Sequence, residues 1–89
     1  MKANFEYDPS KSASNKAKHG IDFEEAQALW DDTRLLITPT RFVSEERFVA
    51  IGPIGSKHWA VVYTIRGDAI RIISVRRARK NEVKRYESQ

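Results

Sequence analysis

The chain contains no cysteine. That absence removes a disulfide framework, a thiol nucleophile and every cysteine-based zinc site, and it fits a reducing cytoplasm. Long apolar runs are also missing. No segment approaches the roughly 20 apolar residues that cross a bilayer. Met1 to Asp8 lacks the apolar stretch of a secretory leader, so a cytoplasmic location is expected. Glycine is scarce, and Gly52 and Gly55 have turn spacing rather than that of a phosphate-cradling loop. The histidines are His19 and His58 alone. The carboxylates show no ligand-like spacing around them, so neither a zinc site nor another cofactor is expected.

What is present is a globular composition, 40% hydrophobic and 31% charged. Its 89 residues suit one domain, residues 1–89, with an economical core. The net charge is +4, but it is unevenly placed. Seven acidic residues fall between Asp22 and Glu46, whereas eight basic residues stand against three acidic ones from Arg66 onward. Such asymmetry points to a polyanion, most often nucleic acid. The basic C-terminal segment has too little apolar surface to insert into a membrane.

Ala3 to Tyr7 alternates weakly and reads as a short strand. Asp8-Pro9-Ser10 opens a helix that runs to His19, and Gly20 is placed to end it in the left-handed conformation. Asp22 and Glu25 have the spacing of a capping box for a second helix, whose apolar face carries Phe23, Ala26, Leu29 and Trp30. The period then changes. Leu35 to Thr38 is an apolar run closed by Pro39, and Arg47 to Ile51 is a second, closed by Gly52 to Ser56. His58 to Ile65 is a third, with Gly67-Asp68 as a hairpin tip before Ile70 to Val75. Ala78 to Glu87 reads as a closing helix. The expected order is β-α-α-β-β-β-β-α. This predicts an α+β fold with a mainly antiparallel sheet, helices on one face, and an open face where a large ligand lies.

The opening FEYDPSK, the junction NKAKHGIDFEEA, the strand ERFVAIG and the tail IRIISVRRARKNEVKRY together resemble the BrnT toxins. These are the ribonuclease half of BrnT/BrnA toxin–antitoxin pairs and are related in fold to RelE. The resemblance covers nearly the whole chain. Tyr7 departs from it, standing where many relatives have tryptophan. The resemblance implies a RelE-like, metal-independent endoribonuclease that cuts RNA, through a 2′,3′-cyclic phosphate, and inhibits translation, on the ribosome or free of it. It also implies a cognate BrnA-like, DNA-binding antitoxin and a hetero-oligomer with it.

Metal-free RNA cleavage needs a base near the 2′-hydroxyl, cations for the phosphate and an acid for the leaving oxygen. Arginine suits the second role because its planar fork gives two hydrogen bonds to phosphate oxygens. Arg47, in a mid-chain strand, and Arg76, at the end of the last strand, are the candidates. Surface pairing with Glu45 or Glu46 is the alternative for both. His19 is a candidate acid or base; a place in the last turn of a helix, beside Lys18, is equally explained by the helix dipole. His58 has a weaker claim. Glu46, with Glu45, is a candidate base or a strand-edge charge that deters aggregation. Lys18, Lys57, Arg77, Arg79 and Lys80 are the expected RNA-binding cations. Trp59 and Tyr63 fit the core better than a stacking platform, Tyr86 is the better stacking candidate, and Ser74 reads as a structural hydroxyl. A module that binds nucleic acid or an antitoxin without catalysis is the competing function. The two differ in whether Arg47, Arg76 and a proton carrier converge on one open face.

Overall fold

The computed structural model describes residues 4–40 and 46–89. Ala3, the expected start of the first strand, and Glu45 lie outside the described residues. The fold is α+β, and its elements follow the expected order. They are β1 (Asn4–Glu6), α1 (Pro9–His19), a 3₁₀ helix (Glu25–Asp31), β2 (Leu36–Thr40), β3 (Arg47–Ile54), β4 (Lys57–Arg66), β5 (Ala69–Arg77) and α2 (Lys80–Glu87). The strands form one sheet in the order β1-β5-β4-β3-β2. All neighbours are antiparallel except β1, which pairs with β5 in parallel.

Local chemistry sets the N-terminal helical layer. Asp8 caps α1 by accepting from the Ser10 N–H at 2.9 Å, and Pro9 supplies the preset φ of a first helical position. Gly20 ends the helix at φ 80°, with its N–H donating to the Lys16 carbonyl. The capping box forms as expected: the Asp22 N–H donates to Glu25 at 3.0 Å and the Glu25 N–H to Asp22 at 2.8 Å. The segment it introduces is a 3₁₀ helix rather than an α-helix. It still buries Ala26 and Leu29, with Phe23 just ahead of it.

The strands depart from expectation at their prolines. β2 continues through Pro39, which pairs with Phe48. Its only partner among the described residues is β3, and an edge strand tolerates a missing N–H. β3 continues through Gly52 and Pro53, so the turn shrinks to Gly55-Ser56. Pro53 lies beyond the last β2 partner, Leu36, which pairs with Ile51, so its nitrogen faces no neighbouring strand. Gly52 admits Asp32 and Leu35, which would stand 3.3 Å from a Cβ there.

The sheet carries an apolar cluster on each face. One holds Ile21, Phe23, Ala26, Leu29, Ala50, Trp59, Val61, Tyr63, Ile72 and Val75, under α1 and the 3₁₀ helix. The other is smaller: Val49, Ile51 and Ala60, with Leu36, Val62, Ala78 and Tyr86 packed against it. α2, expected beside the other helices, therefore lies across the opposite face. Its packing leaves that face half covered.

Candidate RNA-cleavage site

Residues opposite one another in a ladder point to the same side of a sheet. The registers therefore give the rows of the α2 face. Leu36, Ile51, Ala60 and Arg76 form one row, beneath α2. Thr38, Val49, Val62 and Ser74 form the next. Beyond them stand Thr40 beside Arg47, and Thr64 beside Arg71, which in turn pairs with Glu6 on β1. Thr64 lies next to Arg47, since its hydroxyl donates to the Glu46 carbonyl at 2.6 Å. At about 3.3 Å per residue, the Arg47 row is roughly 13 Å from the Arg76 row. Between them lies a strip of threonine, valine and serine, the candidate trough. α2 walls one side and the Arg47–Arg71 row the other.

The two sides are held differently. Arg76 forms a two-pronged pair with Glu82 of α2, Nη1 to Oε1 at 2.8 Å and Nη2 to Oε2 at 2.9 Å. Glu82 Oε1 also accepts from the Arg79 N–H at 2.8 Å, at the start of α2. These bonds, those from Arg76 foremost, hold the Glu82 carboxyl below the usual carboxylate range, and they raise Arg76 in turn. Arg71 on the opposite side meets Glu6 through a single nitrogen at 2.9 Å and is more exposed. Arg85 of α2 reaches the Thr38 hydroxyl at 3.5 Å.

The expected site residues divide among three places. Arg47 and Arg76 stand on the trough face at opposite sides, and Glu46 is exposed just before β3. Lys57, Arg77, Arg79 and Lys80, all exposed, gather where β4 begins and β5 ends: Trp59 pairs with Arg77, and the Ala78 N–H donates to the His58 carbonyl at 3.0 Å. Arg77 also lies 5.6 Å over the Trp59 ring. Lys18 and His19 are exposed at the end of α1, in the layer that covers the other face. There the ion pair belongs to Lys16, which meets Glu25 at 2.6 Å.

The aromatic residues serve packing. Trp59 and Tyr63 are core residues, 7% and 4% exposed. Tyr86 lies edge-on to His58, and its hydroxyl donates to Asp32. That bond raises the Tyr86 pKa and ties down the side chain that is the better stacking candidate. Arg71 and Glu82 join the candidate residues here, and sequence reasoning misses both. Arg71 carries a signal, a charge between Ile70 and Ile72 in a strand. Glu82 carries none beyond its place in a basic helix.

Among the described residues, no three histidines or carboxylates group as a metal site, and no helix is long and apolar enough to cross a membrane. The family model of the ribonuclease toxin BrnT, of type II toxin–antitoxin systems, matches residues 7–82. That span includes the trough strands, the Arg76–Glu82 pair and the α1 junction. No curated protein matches the chain.

Proposed function

We propose that this chain, which belongs to the BrnT family of ribonuclease toxins of type II toxin–antitoxin systems, cuts single-stranded RNA in the trough between Arg47 and Arg76 without a metal ion. One observation carries the reading. Arg47 and Arg71 on one side, and Arg76 at the edge of α2 on the other, stand on the same sheet face, with threonine and serine hydroxyls between them. Guanidinium groups on both walls can neutralise the charge that develops on a phosphate, the largest electrostatic demand of the reaction.

In this reading the 2′-hydroxyl attacks the adjacent phosphorus and its proton passes to the Glu46 carboxylate. The bond to the 5′ oxygen breaks, and that oxygen takes a proton from water. One product ends in a 2′,3′-cyclic phosphate and the other in a 5′-hydroxyl. Lys57, Arg77, Arg79 and Lys80, gathered where β4 begins and β5 ends, draw the RNA strand in by its backbone. His19 and Lys18 serve the end of α1, where positive charge suits the helix dipole.

A toxin of this class has an antitoxin partner. We take that partner to be a BrnA-like DNA-binding protein that covers the cationic face. The protein acts in the cytoplasm, where cleavage of messenger RNA inhibits translation. The test is incubation of the purified protein with RNA in EDTA, with and without ribosomes, and analysis of product ends. Cyclic phosphate ends formed in EDTA support the reading. Cleavage that appears only on adding a divalent cation removes it.

A further inference from the structure

We infer that Glu82 is a positioning residue of the cleavage site, fixing the plane in which Arg76 meets a phosphate. The inference rests on the reading of Arg76 as a phosphate-binding arginine. Glu82 is the one charged side chain buried among the described residues, at 9% exposure. A buried carboxylate is costly to desolvate, and an ion pair that buries it is weak evidence for stability alone. What the pair does supply is geometry. Both carboxylate oxygens engage the two Nη atoms at 2.8 and 2.9 Å, so the guanidinium cannot rotate about its stem. A further Nη1 N–H donates to the Arg77 carbonyl at 3.3 Å. Arginine has five N–H donors. The Nε–H and one Nη2–H remain for a ligand, in a fixed plane.

The carboxylate is itself held. Its Oε1 takes the Arg79 N–H as well as Arg76. A cap alone would need only that one bond. The second oxygen is spent wholly on Arg76. Misplacing a catalytic cation by about 1 Å can cost roughly 100-fold in rate, so the buried carboxylate acts on the reaction without touching RNA.

The test is steady-state cleavage of a defined single-stranded RNA by four proteins: wild type, Glu82→Gln, Arg76→Lys and the double variant. Lysine keeps the charge but lacks the fork. Each protein is assayed below its measured unfolding midpoint. Glu82→Gln should lose about tenfold or more in kcat while KM moves less than threefold. The same change should cost nothing further in the Arg76→Lys background. A folded Glu82→Gln protein with wild-type kcat, beside a slow Arg76→Lys protein, overturns the positioning role and leaves the Arg76 reading standing. An Arg76→Lys protein as fast as wild type removes the Arg76 reading, and this inference with it. If Glu82→Gln does not fold, Glu82→Asp decides, because it keeps the charge and shortens the arm. A similar loss of kcat supports the inference, and wild-type kcat overturns it.

Discussion

Asn15 and Val75 are joined by a hydrogen bond from the Val75 N–H to the Asn15 Oδ1 at 3.1 Å. The same amide donates through Nδ2 to the Ile21 carbonyl at 2.9 Å. One buried side chain thus ties α1, the loop after it and β5 together. It does so just past the irregularity where Val62 pairs with Ser74 but Tyr63 with Ile72. Removing it leaves a buried N–H and a buried carbonyl without partners, at about 1–3 kcal/mol each before relaxation. Asn15→Ala should lower stability by about 2–3 kcal/mol, measured by urea unfolding with an unchanged slope.

Tyr86 fastens the far end of α2 to the turn before β2. Its hydroxyl donates to Asp32, and Gln89 and Arg34 exchange hydrogen bonds alongside. Tyr86→Phe should cost about 1 kcal/mol. The bond to Asp32 raises the Tyr86 pKa, and burial raises that of Tyr63. An alkaline absorbance titration should therefore show Tyr63 and Tyr86 ionising above the ordinary tyrosine value, and the Tyr86 contribution should vanish in the Phe variant.

The Arg76–Glu82 pair makes stability depend on acid. Glu82 is held below its ordinary value of 4.5, first by Arg76 and further by the Arg79 N–H, against the opposing effect of burial. A carboxyl whose pKa is depressed by folding stabilises fully above its unfolded value and loses that contribution as pH falls through its folded value. Stability should be level from neutral pH down to about 4.5 in this respect and fall below it. Glu82→Gln should remove part of that acid dependence, by roughly 2 kcal/mol at neutral pH, measured by thermal unfolding across pH 3 to 7.

Arg71 should bind phosphate, since it stands on the same sheet face as Arg47. Each phosphate that a protein ceases to neutralise on a single strand reduces the salt slope of log K by about 0.7. Arg71→Ala should weaken RNA binding and flatten that slope by about this amount, measured by fluorescence anisotropy at several salt concentrations. Glu6→Ala should leave the slope intact, because Glu6 only holds the arginine.

Short-range chemistry is legible in the sequence. Gly20 at φ 80°, the Asp22–Glu25 box and the Gly67 hairpin tip are each specified by residues within a few positions. The prolines mislead because their cost depends on which edge of a strand they occupy, and that is a property of the assembled sheet. The candidate site is half legible for the same reason. Arg47 and Arg76 are strand arginines, and alternation places them on a face. The pairing of Arg71 with Glu6 spans 65 positions, and that of Arg76 with Glu82 requires α2 to cross to the second face. Chain order does not reveal which layer holds His19. The KHG motif sits in the helical layer, while the arginines lie across the sheet from it.

The location of the site on the α2 face decides the mechanism. It is tested most directly by RNA cleavage rates of Arg47→Ala and His19→Ala, measured side by side with wild type in EDTA. Arg47→Ala should lose about 100-fold or more, the scale of removing one preorganised charge-stabilising group. His19→Ala should cleave within about threefold of wild type, with a small loss of stability from the helix end. A His19→Ala protein that is folded and inactive, beside an active Arg47→Ala protein, would place the chemistry on the helical layer and contradict the account.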